Sequence, residues 1–375
     1  MRITKVDVLA FHRVLDGRSW NPSFRWHERR APLVVVETDA GLRGIGEAWS
    51  RQPEIARVLE ELAQRLAPVL LGCDIALARD DIARRFEASA DWAAAAAASA
   101  IDLALWDLEA QARGEPLWRA FGGRSGRVRV YASGGLYRDG ETLDDLARQF
   151  AGYAAAGFDA AKMKIGALPL EQDLGRVRAA RRALGSEATL WVDAVNQLDR
   201  LRAPAWCDAL AAADVAAIQA PLPFDDVAGM ASINAAHLAV VATEAEHRRA
   251  AFAELLDAKA VTHLQYCLGL CGGPSGARAL DALAAAHGVT STPQCFSTAV
   301  LQSASLHFGA AHPNVVAVEH HRFHDHLADM LPAAMKRIYH GHVLLDDTPG
   351  LGLAPLRVGP QAGGGEVRLH ASIHR

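Results

Sequence analysis

Six polar or reactive residues recur at nearly even intervals through the second half of the chain. They are Lys164, Asp193, Gln219, Glu244, Cys267 and Gln294. The steps between them are 29, 26, 25, 23 and 27 residues, about the length of one strand–helix unit. Short apolar runs precede several of them, as Leu190 to Val192 precedes Asp193. A barrel of parallel strands gathers the side chains at its strand ends around one mouth, where such enzymes carry their chemistry. The spacing therefore predicts a (β/α)8-type barrel with these six side chains at the mouth.

A pair of lysines lies on one predicted strand of this barrel. Lys162 and Lys164 alternate along the strand and therefore point to the same face, the barrel interior. Two ammonium groups inside a barrel are unfavourable unless carboxylates or a bound anion compensate for them. The alternative is a lysine pair solvated at the barrel rim. Taken singly, Asp193 and Glu244 are ordinary loop carboxylates, and only their spacing and flanking residues favour a shared site.

The composition is that of a globular protein and argues against several function classes. Of the 375 residues, 51% are hydrophobic and 22% charged, and the formal net charge is −4. This charge indicates no basic surface for nucleic acid or anionic membranes, and no apolar stretch has the roughly 18–20 residues of a membrane span. The five cysteines lack Cys-x-x-Cys spacing, and Met1 to Val6 reads as a strand instead of a signal peptide. We therefore expect a cytoplasmic protein without nucleic-acid or membrane partners.

The chain divides into an N-terminal region, an alternating region and a tail. Alternation and turn residues predict strands up to residue 49, and the residues from about Pro53 to Phe121 read as helical. Strand and helix patterns then alternate from Val128 to about residue 320. The loop 16–30, rich in Trp, Phe and Arg, separates the first two strands. Loops of this length are usually functional or disordered, and the aromatic residues favour a functional loop.

Several segments of the chain are together typical of one known family. They are Gly41–Ala48, Ser99–Asp107 with Leu117–Gly123, Lys162-Met163-Lys164, Val192-Asp193-Ala194, Gly272-Gly273 and Gly350-Leu351-Gly352. On these residues the chain resembles the enolase superfamily over essentially its full length, and within it the mandelate racemase-like branch of the mandelate racemase/muconate lactonizing enzyme family. The resemblance implies an α/β fold, a modified (β/α)7β TIM-type barrel with an α+β N-terminal capping domain that the C-terminal tail completes. We expect the capping domain at residues 1–124, the barrel with the metal and catalytic site at 125–330, and a C-terminal segment packed back on the capping domain at 331–375.

The resemblance also implies a reaction and a cofactor. Members of the superfamily bind a divalent metal, usually Mg²⁺, and abstract the proton alpha to a carboxylate, while the metal stabilises the enediolate that forms. By this resemblance Lys164 is the acid/base and Lys162 supports the substrate carboxylate. Asp193, Gln219 and Glu244 occupy the metal-ligand positions. We expect one Mg²⁺ per subunit of a homo-oligomer.

Gln219 departs from the family pattern. The segment Ile218-Gln219-Ala220-Pro221 stands where the family normally carries a glutamate two residues before proline. A glutamine carbonyl can bind Mg²⁺ but contributes no charge, so we expect weaker metal binding and a more electrophilic metal. The alternative is that Gln219 only hydrogen-bonds a neighbour and that the metal site has degenerated.

The residues predicted to lie across the substrate from Lys164 depart further from the family pattern. Cys267 stands where one branch has aspartate and another lysine, and Gln294 stands where the first branch often has histidine. The usual His–Asp dyad is therefore absent, because glutamine neither accepts nor donates a proton at a useful pKa. Cys267 is either a tuned acid or base or, as we favour, a buried inert thiol, and Tyr266 is a further candidate proton donor.

Other side chains are candidates for contacting substrate. The predicted substrate-binding residues, which include Cys267 and Gln294, are Arg25, His27, His247, Cys267, Gln294 and Glu319. Arg25 and His27 are equally compatible with solvated loop charges. The four histidines between residues 320 and 326 either contact substrate or form a His-rich surface loop.

A one-base reaction is favoured, since Lys164 is the only credible base. We rank acid-sugar dehydration through an enediolate first, lactone cycloisomerisation second, and racemisation or epimerisation third, because the last usually needs bases on both faces of the carbon. The predicted protein is thus a Mg²⁺-dependent hydro-lyase or isomerase acting on a small-molecule carboxylate. A catalytically silent relative that binds metal or ligand is the alternative from another class, motivated by Gln219, Cys267 and Gln294.

Overall fold

The N-terminal region is an antiparallel sheet covered by helices. The computed structural model describes residues 1–49, 54–242, 244–323 and 326–374. The elements of this region are β1 (Ile3–Val14), β2 (Ser19–Asn21), β3 (Phe24–Arg25), β4 (Glu28–Thr38), β5 (Arg43–Glu47), α1 (Ile55–Glu60), a π-helical segment (Glu61–Leu66), α2 (Ala67–Leu70), α3 (Ile75–Glu87), α4 (Trp92–Ala112) and α5 (Leu117–Ala120). The strands β1 and β4 pair antiparallel along nearly their whole length, and β5 pairs with β4. Their aliphatic side chains form a core beneath the helices.

The strand β5 lies directly against the buried, alanine-rich helix α4. Gly44 and Gly46 stand opposite the carbonyl oxygens of Ala104 and Ala100, and a Cβ at either glycine would collide with the helix backbone. This close approach requires glycine at both positions. It gives a physical reason for the Gly-Ile-Gly segment that helped to identify the family.

Within the described residues, eight parallel strands and seven connecting helices form the barrel. The elements in chain order are β6 (Arg127–Gly134), β7 (Tyr137–Arg138), α6 (Leu143–Ala155), β8 (Ala160–Lys164), α7 (Leu170–Leu184), β9 (Thr189–Asp193), α8 (Ala203–Ala212), β10 (Ala217–Gln219), α9 (Val227–Ala236), β11 (Ala239–Ala242), α10 (Arg249–Asp257), β12 (His263–Leu264), α11 (Gly273–Ala286), β13 (Thr290–Ser291), α12 (Ala299–Ala311) and β14 (Val318–His321). The parallel strands run in the order β13-β12-β11-β10-β9-β8-β6-β14, whereas β7 pairs with β2. Hydrogen bonds from Val316 N to Ser291 O and from Glu319 N to Pro293 O join the two ends of this order. The predicted modified TIM-type barrel is confirmed.

The register of the strands sets the candidate residues at one level. Lys164 on β8 is paired with Asp193 on β9, and Asp193 is paired with Gln219 on β10. Lys162 lies two residues deeper on the same face of β8. An apolar cluster packs together at the core of the barrel strands, comprising Tyr131, Ala160, Trp191, Ala217, Val241 and Ala317. The barrel is therefore a packed core with its polar groups toward the carboxyl ends of the strands.

Glu47 at the end of β5 joins the N-terminal sheet to the barrel. Its buried carboxylate accepts hydrogen bonds from the backbone N of Thr298 at 3.1 Å and of Leu301 at 3.0 Å, at the start of α12. The hydroxyls of Ser297 and Thr298 donate to the same carboxylate. A negative charge at a helix N-terminus is favourable, so Glu47 fixes the segment that carries Gln294 against the N-terminal region.

The C-terminal residues return to both parts of the molecule. They form α13 (Ala333–Lys336), β15 (His342–Leu344), β16 (Gly359–Pro360) and β17 (Glu366–His374). The strand β17 pairs antiparallel with β1, whereas β15 pairs with barrel strand β6. Part of the segment 331–375 thus lies on the barrel wall and not on the N-terminal sheet. The domain boundaries at residues 124 and 330 stay predictions. None of the helices described is long and apolar enough to cross a membrane.

Candidate active site

Lys164 forms an ion pair with Asp193 at the mouth of the barrel. Lys164 Nζ bonds Asp193 Oδ2, and Asp193 Oδ1 accepts a hydrogen bond from Val195 N at 2.9 Å. The side chain of Lys164 is 13% exposed, against 2% for that of Lys162. Lys164 is therefore the lysine of the pair that a ligand in the mouth can reach.

Lys162 is a buried cation surrounded by acceptors. Its Nζ donates to Gln219 Oε1 at 2.6 Å and lies 3.0 Å from Glu319 Oε1 and 3.8 Å from Asp193 Oδ2. Burial by itself lowers the pKa of an ammonium group, but the carboxylates of Glu319 and Asp193 outweigh it and raise the pKa of Lys162. Burial would likewise raise the pKa of Glu319, yet the Lys162 ammonium holds that pKa below its usual value. Both groups of this pair are therefore charged at neutral pH.

Gln219 and Glu244 complete the cluster on the neighbouring strands. Gln219 Nε2 donates to Glu244 Oε2 at 2.8 Å. Partial burial and the negative charge of Asp193 raise the pKa of Glu244, while the two lysines oppose this shift. The two carboxylates are thus close enough to repel each other, and a divalent cation would relieve this repulsion.

The carboxylates of Asp193 and Glu244 have the chemistry that fits a divalent cation, whereas Gln219 is neutral and its oxygen accepts a hydrogen bond from the Lys162 ammonium. Carboxylate oxygens are the ligands that Mg²⁺ prefers. Within the described residues, no group of three or more His, Cys, Asp and Glu side chains could hold a metal ion. Asp193, Gln219 and Glu244 as metal ligands therefore stay predictions.

The side of the mouth that follows β12 and β13 carries uncharged groups. Cys267 and Gln294 lie next to each other through a parallel backbone bridge. Cys267 is fully buried, and burial raises the pKa of its thiol well above the usual value. Burial raises the pKa of the Tyr266 hydroxyl in the same way. Gln294 is buried too, and its carbonyl oxygen has no hydrogen-bond partner among the residues described.

Gln265 is a polar residue of this side that lies outside the set predicted from sequence. It is fully buried, and its Nε2 donates to the hydroxyl of Tyr131 at 3.2 Å. Its carbonyl oxygen lacks a hydrogen-bond partner in the described part of the chain. Gln265 stands two residues before Cys267 and thus on the same face of an extended segment. That alternation is the sequence signal by which it could be found.

The segment 16–30, predicted to be a loop, contains the short strands β2 and β3 and the start of β4, and it reaches the barrel mouth from the N-terminal region. Ser23 Oγ donates to Val195 O, just past the third barrel strand, at 3.4 Å. The ring of Trp26 lies 5.4 Å from that of Phe296, just past Gln294 in the chain. The segment 16–30 therefore contacts two opposite sides of the mouth.

Arg25 and His27 of this segment bond to residues outside the lysine cluster. Arg25 pairs with Asp139 at 2.6 Å and donates to Gly17 O at 2.8 Å. His27 is exposed, and its ring lies against Gly17. Among the described residues, neither side chain has a hydrogen bond to the cluster. Their predicted contact with substrate stays a prediction.

The candidate histidines His247, His320, His321 and His326 are buried. Burial lowers the pKa of His247, whose backbone N bonds Glu246 Oε1 at 2.7 Å. Burial also lowers the pKa of the histidines that follow Glu319, namely His320, His321 and His326. The alternative of a His-rich surface loop is therefore wrong for these three, while His324 lies outside the described residues.

Comparison with known proteins finds matches to both halves of the chain. Residues 24–122 match the N-terminal domain of the mandelate racemase / muconate lactonizing enzyme family, and residues 145–357 match the enolase C-terminal domain-like family. D-galactarolactone cycloisomerase of Agrobacterium fabrum is 30% identical over 368 residues, which cover 94% of this chain and 96% of that protein. Arabinonate dehydratase of Saccharolobus solfataricus is 27% identical, over 87% of this chain and 88% of its own.

A solved structure of a related protein also matches the full length of this chain. L-talarate dehydratase from Polaromonas sp. JS666, crystallised with Mg and L-glucarate, matches with a TM-score of 0.85. It is 25% identical, and the match covers 100% of this chain and 99% of that one. The likeness therefore extends over both the N-terminal region and the barrel.

Proposed function

This chain belongs to the mandelate racemase/muconate lactonizing enzyme family of the enolase superfamily, and we propose that it removes the proton alpha to the carboxylate of a small hydroxycarboxylate. The observation that carries this proposal is the lysine pair, with Lys164 reachable at the mouth and Lys162 buried beside it. One Mg²⁺ per subunit is part of the proposal. A homo-oligomeric state and a cytoplasmic location remain predictions.

Lys164 is the proposed acid/base. As a neutral amine its Nζ takes the alpha proton, so that the C–H bond breaks, an N–H bond forms and the electron pair moves into the carboxylate as an enediolate. The Lys162 ammonium, held by Glu319, donates hydrogen bonds to the developing negative charge. A divalent cation held by Asp193 and Glu244 would supply further electrostatic stabilisation. In a dehydration the electron pair then forms the C–C double bond, the beta C–O bond breaks, and Lys164 gives its proton to the leaving hydroxyl, so that water leaves.

Acid sugars are the proposed substrates, and dehydration is the proposed reaction. The similar proteins include an arabinonate dehydratase and a D-galactarolactone cycloisomerase. A syn elimination of water needs only Lys164, and Cys267 and Gln294 supply no second base on the far side. Lactone cycloisomerisation is therefore the second candidate, and epimerisation the third.

A screen of acid sugars and other hydroxycarboxylates with Mg²⁺ in deuterated water tests the proposal. We expect loss of one substrate and deuterium uptake at its alpha carbon, both abolished when the metal is removed with EDTA. Metal binding without turnover or exchange on any compound would contradict the proposal and favour the catalytically silent relative.

Gln294 is proposed to hydrogen-bond a substrate hydroxyl on the far side of the site. Its buried carbonyl oxygen lacks a partner among the described residues, which is unfavourable until a ligand supplies a donor. Gln294→Leu removes the amide at similar volume. We expect KM to rise about tenfold, the equivalent of one hydrogen bond of about 1.4 kcal/mol, with a smaller change in kcat. Steady-state kinetics with the exposed Gln64→Leu as control measures this, and an unchanged KM would remove Gln294 from the substrate contacts.

A glutamate in place of Gln219 should tighten metal binding. Gln219→Glu adds a third carboxylate beside Glu244, and a hard cation gains from the added charge. We expect the Kd for Mg²⁺ to fall about tenfold, without a matching gain in turnover, because the metal becomes a weaker Lewis acid. Calorimetric titration measures the affinity, and Gln64→Glu controls for the added charge. Equal affinities of variant and wild type would show that this side chain does not act on the cation.

A further inference from the structure

The side chain of Gln219 lies between a donor and an acceptor. Its Oε1 is 2.6 Å from Lys162 Nζ, and its Nε2 is 2.8 Å from Glu244 Oε2. Gln219 is 1% exposed; its contact with Lys162 is buried, and its contact with Glu244 is partly buried. The amide thus connects residues of the second and fifth barrel strands through the fourth.

The chemistry of these two neighbours fixes the direction of the amide. An ammonium group only donates hydrogen bonds and an ionised carboxylate only accepts them. The carbonyl oxygen of Gln219 must therefore face Lys162, and its NH₂ group must face Glu244; such partners are the criterion by which an amide is oriented. Turning the amide over would place NH₂ against the ammonium and oxygen against the carboxylate. Two favourable contacts would become two repulsive ones.

We infer that Gln219 is a positioning residue that holds Lys162 and Glu244 in place, and that it is not a ligand of the cation. The inference rests on the proposed function. The only atom of Gln219 that could bind Mg²⁺ is its carbonyl oxygen. That oxygen is neutral and accepts a hydrogen bond from the buried Lys162 ammonium, whereas Asp193, whose oxygens also accept hydrogen bonds, carries a negative charge that attracts a cation. The cation then has two protein carboxylates and takes its other ligands from water and substrate, a common arrangement for Mg²⁺.

A crystal structure of the wild-type protein with Mn²⁺ tests the inference directly. We expect the ion within about 2.3 Å of carboxylate oxygens of Asp193 and Glu244. Gln219 Oε1 should remain on Lys162, more than about 3 Å from the ion. A Gln219 oxygen at coordination distance would overturn the inference. Mn²⁺ bound away from both carboxylates would instead refute the proposed metal site, which is a different failure.

Titration with Mn²⁺ alone, followed by electron paramagnetic resonance of the free ion, gives a second measure. Gln219→Met removes both amide atoms at similar length and should weaken Mn²⁺ binding by about tenfold, the lower end of the range for losing a residue that orients a ligand. Asp193→Asn removes a ligand and should weaken binding by about 100-fold or more. Equal losses in the two variants would make Gln219 a ligand and overturn the inference.

The positioning role has a kinetic readout of its own. At saturating Mn²⁺, Gln219→Met should raise KM for the substrate found in the screen at least about fivefold, because Lys162 loses one of its partners and is less well placed for the substrate carboxylate. Gln64→Met is the matched control. An unchanged KM at saturating Mn²⁺ would overturn the positioning role.

Discussion

Replacing Lys164 by alanine should lower the rate of alpha-proton exchange about 10³-fold, within the range that a positioned general base contributes. Lys164 is the lysine that is reachable at the mouth, and the thiol of Cys267 is held protonated by burial. Binding of Mn²⁺ should persist, because Asp193 keeps its carboxylate and loses a competing cation. Deuterium uptake into the substrate, followed by NMR, measures the exchange rate.

The matched control for this variant is Lys336→Ala, an exposed lysine on α13 outside the barrel. It should exchange at the wild-type rate. Circular dichroism and Mn²⁺ binding establish that Lys164→Ala is folded. Exchange at the wild-type rate in folded Lys164→Ala would place the base elsewhere, and His247 and Cys267 would be the next residues to replace.

The barrel and the level of its polar residues could be predicted because both follow from repetition along the chain. Each unit contributes one strand and one helix, so residues about 25 positions apart return to equivalent places in neighbouring strands. Parallel pairing then sets Lys164 beside Asp193 and Asp193 beside Gln219. The alternation of Lys162 with Lys164 needs only the geometry of an extended strand.

The choice among hydrogen-bond partners could not be predicted in the same way. Arg25 pairs with Asp139, which is 114 residues away, and Gln219 bonds Lys162, which is 57 residues away. The sequence gives the chemical type of each side chain. It does not show which of several nearby partners a side chain bonds in the fold. Gln265 lies outside the predicted set because β12 is only two residues long, so its spacing of two residues from Cys267 is its one sequence signal. Conclusions about ligands and substrate contacts therefore depend on the three-dimensional arrangement.

Exchange in deuterated water should label only one face of the alpha carbon, with at least about 100-fold preference, because a general base contributes about 10²–10⁴-fold and Lys164 is the one proposed base. Lys164 lies on the side of the mouth formed by β8 and β9, whereas the opposite side presents Cys267 and Gln294. The amide of Gln294 has no useful pKa, and burial raises the pKa of the Cys267 thiol well above its usual value. NMR of recovered substrate, compared with chemically prepared epimers, gives the ratio of the labelled faces.

Cys267→Ser separates the one-base reaction from an epimerisation with two bases. If the thiol is inert, the variant should keep the exchange rate within about twofold, since no proton passes through it and the size change is small. Met163→Leu, a buried apolar exchange on β8, controls for a general effect of repacking the barrel. If wild-type protein instead labels both faces and Cys267→Ser stops labelling on one of them only, Cys267 is the second base. A protonated thiol would then have to be the donor on its face, and epimerisation would replace dehydration as the reaction of this site.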